Sequence, residues 1–376
     1  MPIYIYKGNN QISANAIRNT KIVRALITKQ SNKLRQEWGE ALYYYTADGN
    51  NDITITGVIS GNFSKELNIP KYIGQKKVTY IGSGAFTDCI NAKKITIPRT
   101  VENIYKGAFS GCSSLESITI PFVGAKTRNI SGKTYQYPFG YIFGTSSYDG
   151  SVATEQYYYE SSNPNSMTSI TCYIPSSLKS VTVTGRDILK GAFRNCTGLT
   201  SITISNIVTE IGEQAFAGCS GLTNFTIPNS VTTIGDSAFY NCTGLTSIEI
   251  PDSVTTIDVS AFERCTGLTS VTIPGSVTST GWATFRFCTG LTSVSIVTGV
   301  TRIGQDAFYG CTGLTSITIP DSVRNIEAWA LRDCEKLTSI EYNGPKERWN
   351  TITKGSLWNS GTGNYTIHCT DGDIPK

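Results

Sequence analysis

The chain has 376 residues, a formal net charge of +4, 16% charged residues and 39% hydrophobic residues. That apolar share excludes an intrinsically disordered polymer, and so small a charge gives no ground for a nucleic-acid-binding or membrane-surface class. No run of 18 apolar residues occurs, so no transmembrane segment is expected.

Residues 1–40 hold seven Lys/Arg against Glu37 and Glu40, a local +5 that leaves −1 for the remainder. Ile3 and Ile5 suit one edge of a strand. Ile17, Val23, Leu26, Ile27, Leu34 and Trp38 suit a helix or a pair of strands equally well. Two roles fit the segment: an attachment module, or a polar cap shielding the apolar residues of the adjoining segment. Met1–Asn10 has no charged stretch leading into an apolar one, so no secretion leader is expected there.

Residues 41–121 bring in a pattern. Asp52–Gly57 reads as a short strand and turn, Leu67–Pro70 and Val78–Gly82 as pieces of the pattern followed by Ala85-Phe86 and Cys89, and a regular coil then runs to Cys112, 23 residues after Cys89, and Leu115–Pro121. The pattern then breaks. Cys112 to Cys196 spans 84 residues, and the insertion, 122–182, holds Tyr135, Tyr137, Tyr141, Tyr148, Tyr157, Tyr158, Tyr159 and Tyr173, eight of the 20 tyrosines. Tyrosine among Ser and Gly is the composition of adaptable binding loops. Pro138–Phe143 reads instead as a satellite core, whereas the polar 154–165 is expected to be exposed. Tyr157, Tyr158 and Tyr159 are the preferred contact residues, with Tyr148 beside them.

Residues 183–342 carry the regular repeat. Cysteine stands at 196, 219, 242, 265, 288, 311 and 334, each 23 after the last, and Phe193 to Phe308 and Leu199 to Leu337 keep the same step. A period between 20 and 50 residues signals a solenoid, whose coils bury their apolar faces against neighbouring coils. Within one coil, Ile317 and Ile319 alternate with Ser316 and Thr318, which describes a half-buried strand, and Pro320 ends its ladder. No stretch keeps helical periodicity for ten residues, so the other side of each coil should hold short strands, turns or single 3₁₀ turns.

The segment LTNFTIPNSVTTIGDSAFYNC at 222–242 resembles the BspA-like class of bacterial leucine-rich repeats, and the likeness spans roughly 54–342. It implies a right-handed leucine-rich-repeat solenoid, mostly β, of about ten coils with terminal caps. It also implies partner binding at a cell surface without catalysis. Relatives of this class carry an insertion similar to 174–183, which favours a variant coil there.

Nine cysteines, the seven above with Cys89 and Cys112, share the repeat position. Stacked coils lie about 4.8 Å apart, but stacked Cβ atoms point in parallel, so buried, unpaired, inert thiols are expected. With no C-x-x-C pair and His368 as the single histidine, no metal and no cofactor are expected.

The outward strand residues form a hydroxyl ladder with carboxylates at Glu249 and Glu341. It suits docking of a protein or carbohydrate; side-chain pairing along the sheet explains it more simply. Trp282 and Trp329 replace polar residues such as Glu213, Asp236 and Gln305. They are binding anchors if exposed and local packing if covered.

Residues 343–376 read as a closing cap, a short helix and then a strand. His368 and Cys369 adjoin, but neighbours on a strand face opposite ways, so they make no nucleophile–base pair. No P-loop, G-x-S-x-G elbow or metal spacing is present. A hydrolase acting through the insertion therefore has nothing in its favour. The expected function is non-catalytic recognition or adhesion at the cell surface. The alternative is a structural or receptor-binding part of a phage-like or surface particle mounted through residues 1–40.

Overall fold

The computed structural model describes residues 5–7, 10–12, 43–47, 52–58, 65–73, 75–87, 89–124, 135–160, 163–186 and 188–376. The chain is mostly β, a solenoid of about 12 turns rather than about ten. Two compact units result. One runs to Thr154 and includes Ile170–Leu178, and the other joins Glu155–Ser169 to Lys179–Lys376.

In the second unit the expected coil is present. Ser201–Ile204, Asn224–Thr226 and Ser247–Glu249 pair in parallel, with Ser201 opposite Asn224 and Asn224 opposite Ser247. A second sheet stacks Ser270–Ile273, Ser293–Ile296, Ser316–Ile319, Ser339–Tyr342 and Thr366–Cys369 in the same sense. Burial alternates along these strands, so Ile202, Ile248, Val271 and Ile317 point inward and the Ser/Thr residues outward. Two-residue strands such as Thr233–Ile234 and Asn325–Ile326 form a further parallel ladder on each coil.

The core is a column of rings. Phe193, Phe216, Phe239, Phe262, Phe285 and Phe308 are fully buried. Their centroids lie 5.1–5.6 Å apart. From Phe239 to Phe308 the rings are within 4° of parallel. Beside them the repeat cysteines are all free. The Cys242 thiol donates to the Phe216 carbonyl at 3.2 Å, and Cys265, Cys288 and Cys311 repeat that bond one coil on. Burial pushes the Cys219, Cys265 and Cys334 thiols up to about 12.

The remaining side of the coil contains turns, yet its backbone is laddered too. Gln214, Phe216 and Gly218 each donate an N–H to a carbonyl of the next coil, at Asp236, Ala238 and Tyr240. Later coils repeat the set. Reaching it needs left-handed backbone at two positions per coil, such as Ser237 (φ 53°) with Asn241 (φ 57°), or Ser260 (φ 53°) with Arg264 (φ 61°). Such a conformation costs an L-residue roughly 1–2 kcal/mol, which the inter-coil hydrogen bonds offset.

In the first unit, Tyr43–Ala47 and Asp52–Val58 are antiparallel, and Asp52–Val58 then pairs in parallel with Lys76–Ile81. Ile5–Lys7 and Asn10–Ile12 form a small antiparallel pair. The apolar positions expected between Ile17 and Trp38 lie outside the described residues, as does Ile3. The Phe86 and Phe109 rings stack at 5.1 Å. The insertion opens as a variant coil: Phe139–Phe143 is a 3₁₀ turn, and Phe109 donates to the Ile142 carbonyl just as Phe86 donates to Ala108. Cys172, Ile174 and Leu178 are buried, so Pro138–Phe143 is packing, as its composition suggested.

At the C-terminus the column is closed by polarity. Leu331 donates to the Trp358 carbonyl, which aligns Asn359 with the phenylalanine slot and Thr362 with the cysteine slot. The Asn359 amide bonds the Tyr365 hydroxyl at 2.6 Å, and the Thr362 hydroxyl bonds the Asn359 carbonyl at 2.8 Å. The helix Lys346–Thr351 covers this end with buried Trp349 against Tyr342. Gly372–Pro375 turns back antiparallel as the last strand, where Pro375 offers no N–H to a further chain.

Because Cys369 alone among the 11 cysteines is not buried, a thiol reagent should modify one group quickly in the native protein and all of them in denaturant. Several fast-reacting thiols under native conditions would contradict the column. Phe262→Ala should cost about 3–5 kcal/mol, measured by chemical unfolding.

Candidate functional site

No helix among the described residues is long and apolar enough to cross a membrane, and none of their His, Cys, Asp and Glu side chains group as metal ligands would. Three places hold the residues singled out from the sequence.

On the insertion, Ser151–Glu160 and Asn163–Pro175 are hydrogen-bonded neighbours joined by residues 161–162. The expectation that 154–165 is exposed fails at its start, because Thr154 is 8% and Gln156 0% exposed. The Gln156 amide donates to the Arg194 carbonyl at 2.8 Å and lies 3.2 Å from the Cys196 sulfur. In regular coils a backbone N–H fills that place: Gly218 donates to the Tyr240 carbonyl, and Asn195 to Ala217. Gln156 thus completes the turn ladder where the insertion interrupts it. Asn195 donates to the Glu155 carbonyl at 2.8 Å, and the Arg194 guanidinium sits 4.3 Å over the Tyr157 ring. Tyr157 and Tyr158 are half-buried, and the side chain of Tyr159 lies outside the described residues. Tyr148 turns its hydroxyl inward, buried and without a partner, and burial raises its pKa. It offers that group to no ligand.

On the strand face, Glu249 and Glu341 are exposed and stand four coils apart in one column. Glu341 lies opposite Thr318 on one side and His368 on the other, and His368 is 2.9 Å from Asp373.

On the turn edge the two tryptophans occupy different slots, not one. The Trp282 carbonyl accepts from Ser260, which places it with Glu213, Asp236 and Gln305. Trp329 is a left-handed residue (φ 59°) that donates to Ser356, which places it one position later, with Gln214 and Asp306. Trp282 is half-exposed, and its Nε1 donates to Asp306 at 2.8 Å. Trp329 is half-buried, with its Nε1 covered and unpartnered.

Between them runs a column that the sequence reading missed. Arg264 lies 5.0 Å over the Phe287 ring, and Arg286 lies 4.7 Å over Phe287 and 5.1 Å over Tyr309. Arg332 lies 5.5 Å over Tyr309 and 6.0 Å from Trp329. Phe287 and Tyr309 meet at 5.1 Å. Glu263, 8% exposed, anchors the start: Ser260 donates to it at 2.6 Å, with Arg264 at 3.8 Å and Arg286 at 4.0 Å. Gly310 makes room, because a Cβ there would meet the Phe287 ring at 2.4 Å and its φ is 70°. The signal was available as Arg286-Phe287, Tyr309-Gly310 and Arg332-Asp333, the pair before the cysteine in three successive coils.

This architecture matches the family described as the BspA type leucine rich repeat region, in 6 copies over residues 56–137, 186–301 and 283–367. The chain belongs to that family. It is similar to a leucine-rich repeat protein of Bacteroides ovatus, 23% identical with a TM-score of 0.48, over 86% of this chain and 80% of that one. A leucine rich cell surface protein of Faecalibacterium prausnitzii is 23% identical, TM-score 0.27, over 83% and 96%. The pneumococcal vaccine antigen PcpA is 18% identical, TM-score 0.36, over 86% of each chain. A comparison with curated protein sequences gives no match.

Gln156→Leu should lower stability by about 1–3 kcal/mol, because the buried Gln156 amide no longer donates to the part-buried Arg194 carbonyl. Tyr157→Ala should also destabilise, by about 0.5–2 kcal/mol of lost cation–π contact. Unchanged unfolding midpoints in both variants would mean that the hairpin does not pack as described.

Proposed function

We propose that this protein is a non-catalytic recognition protein of the cell surface that docks a protein partner on its turn edge. The carrying observation is the arginine–aromatic column from Arg264 to Trp329, with Trp282 beside it. Trp, Tyr and Arg are the residue types that dominate binding energy at interfaces. Here each is held by its neighbours before a partner arrives, so little side-chain freedom is left to lose on binding.

The patch is close to neutral. Arg264, Arg286 and Arg332 are balanced by Glu263, Asp306 and Asp333, with Arg264 3.8 Å from Glu263 and Arg332 3.7 Å from Asp333. Such a patch favours a mixed polar and aromatic surface over a polyanion. Membership of the repeat family supports an interaction role at a surface. The hairpin extends the same chemistry, since Arg194 over Tyr157 repeats the arginine–ring stack.

The test is a surface-protein array probed with the wild-type chain and with a Trp282→Ala/Arg286→Ala variant of unchanged circular dichroism. Captured proteins should bind the variant at least about tenfold more weakly, the scale expected for losing an aromatic or arginine anchor. Equal capture by both chains would overturn the assignment to this edge.

A further inference from the structure

The junction between the last repeat strand and the capping helix departs from the coil pattern at two adjacent positions. In the slot that follows the strand, the coils carry Pro228, Pro251, Pro274 and Pro320, with Val297 taking it once. Asn343 stands there in the final coil, in register because Tyr342 lies opposite Ile319. The next slot holds a residue with a Cβ in most coils, as at Asn229, Asp252, Thr298 and Asp321, and here it is Gly344. Packing requires that glycine, since a Cβ would meet the Tyr342 ring at 2.8 Å and the Asp321 Cβ at 3.0 Å. Packing makes no such demand for an asparagine before it. The Asn343 side chain is exposed and makes no hydrogen bond among the described residues.

Asn343-Gly344 is the single Asn-Gly step in the chain. Its backbone is tied on both sides and open between. The Asn343 N–H donates to the Ile319 carbonyl at 3.0 Å, as Val297 donates to Ile273, and the Gly344 carbonyl accepts from Thr370 at 3.1 Å. The Gly344 N–H, between those two bonds, donates to no acceptor among the described residues. Asn359-Ser360 is the contrasting case. There the Asn359 amide donates to the Tyr365 hydroxyl at 2.6 Å, and the Ser360 N–H donates to the Leu357 carbonyl at 3.2 Å.

We propose that Asn343 is a site of spontaneous deamidation that remodels the C-terminal cap. The Gly344 amide nitrogen loses its proton and attacks the side-chain carbonyl carbon of Asn343. A cyclic succinimide forms, and the side-chain nitrogen takes up a proton and leaves as ammonia. Water then opens the ring at either carbonyl, which leaves aspartate or isoaspartate at 343. A nitrogen already hydrogen-bonded would first have to give up its bond, and a Cβ on the following residue would crowd the approach. Gly344 presents neither obstacle. Isoaspartate adds a carbon to the main chain between the two anchored points. The bond to Ile319 and the bond from Thr370 then cannot both persist, because Gly344 has no room to shift against Tyr342 and Asp321. The site is separate from the turn edge and does not rest on the docking role.

The experiment is incubation of the whole folded chain in mildly alkaline buffer, followed by digestion and mass spectrometry of the peptides that hold Asn343 and Asn359. Isoaspartate in each peptide is read as methyl acceptance from isoaspartyl methyltransferase. Asn343 should convert several times faster than Asn359, mostly to isoaspartate, and faster as pH rises because the attacking nitrogen must be deprotonated. Asn343→Gln, whose longer side chain closes a larger and slower-forming ring, should lose the methyl acceptance of that peptide and keep the unfolding midpoint. In converted chains the Thr370 amide should exchange its hydrogen faster. Equal rates at Asn343 and Asn359, conversion of Asn359 alone, or undiminished methyl acceptance in the Asn343→Gln peptide would overturn the assignment of the site. Unchanged exchange at Thr370 in converted chains would overturn the remodelling of the cap.

Discussion

A carbonyl at the centre of each coil sets the terms for the rest. Phe216 O is buried beside its own ring and accepts two bonds, the Cys219 N–H at 3.0 Å and the Cys242 thiol at 3.2 Å. A buried carbonyl without partners is costly, and the second partner must arrive from the next coil in a space too small for a long side chain. Cysteine meets both demands. It is small and apolar enough for the core, and it carries a weak donor. Alanine would leave one lone pair unused. The 23-residue cysteine period is therefore a hydrogen-bonding requirement as much as a packing one.

Around that centre the coil is tied to its neighbours on every side. The strand ladder, the two-residue ladder and the turn ladder each carry backbone bonds between coils, and threonine and serine rows reinforce two of them. A surface built on such a frame is stiff. This explains how residues from Glu263 to Trp329, spread over four coils, stack into one column whose order is fixed by the frame. It also explains the amide at Gln156: an interruption in the ladder leaves an orphaned acceptor, and the inserted segment brings its own donor to it.

The parts legible in the sequence were those repeated in every coil. Phe239, Cys242 and Leu245 announce themselves by period, and the alternation at Ser316–Ile319 announces its strand. Residues that occur once were harder to read. Asn359 and Thr362 end the column by standing where Phe and Cys stood, but the spacing shifts there, so counting by 23 passes over them. Gln156 looked like one more polar residue in a polar stretch, because its partner is 38 positions away. Arg286 and Tyr309 are ordinary in their own coils, and their stacking appears only when coils are superposed. Trp282 and Trp329 differ by one slot, and one residue of register decides between a half-exposed ring and a half-buried one.

The free thiols carry a consequence for how this chain can live in an oxidising medium. Folded, ten of its 11 sulfurs are sealed inside the coils, and burial raises the thiol pKa of the row from Cys219 to Cys334. Opened, the same sulfurs would lie close together along the chain and could be crosslinked in many wrong pairings before the coils re-form. Survival outside a reducing environment then depends less on the equilibrium between folded and unfolded chains than on how seldom the structure opens at all.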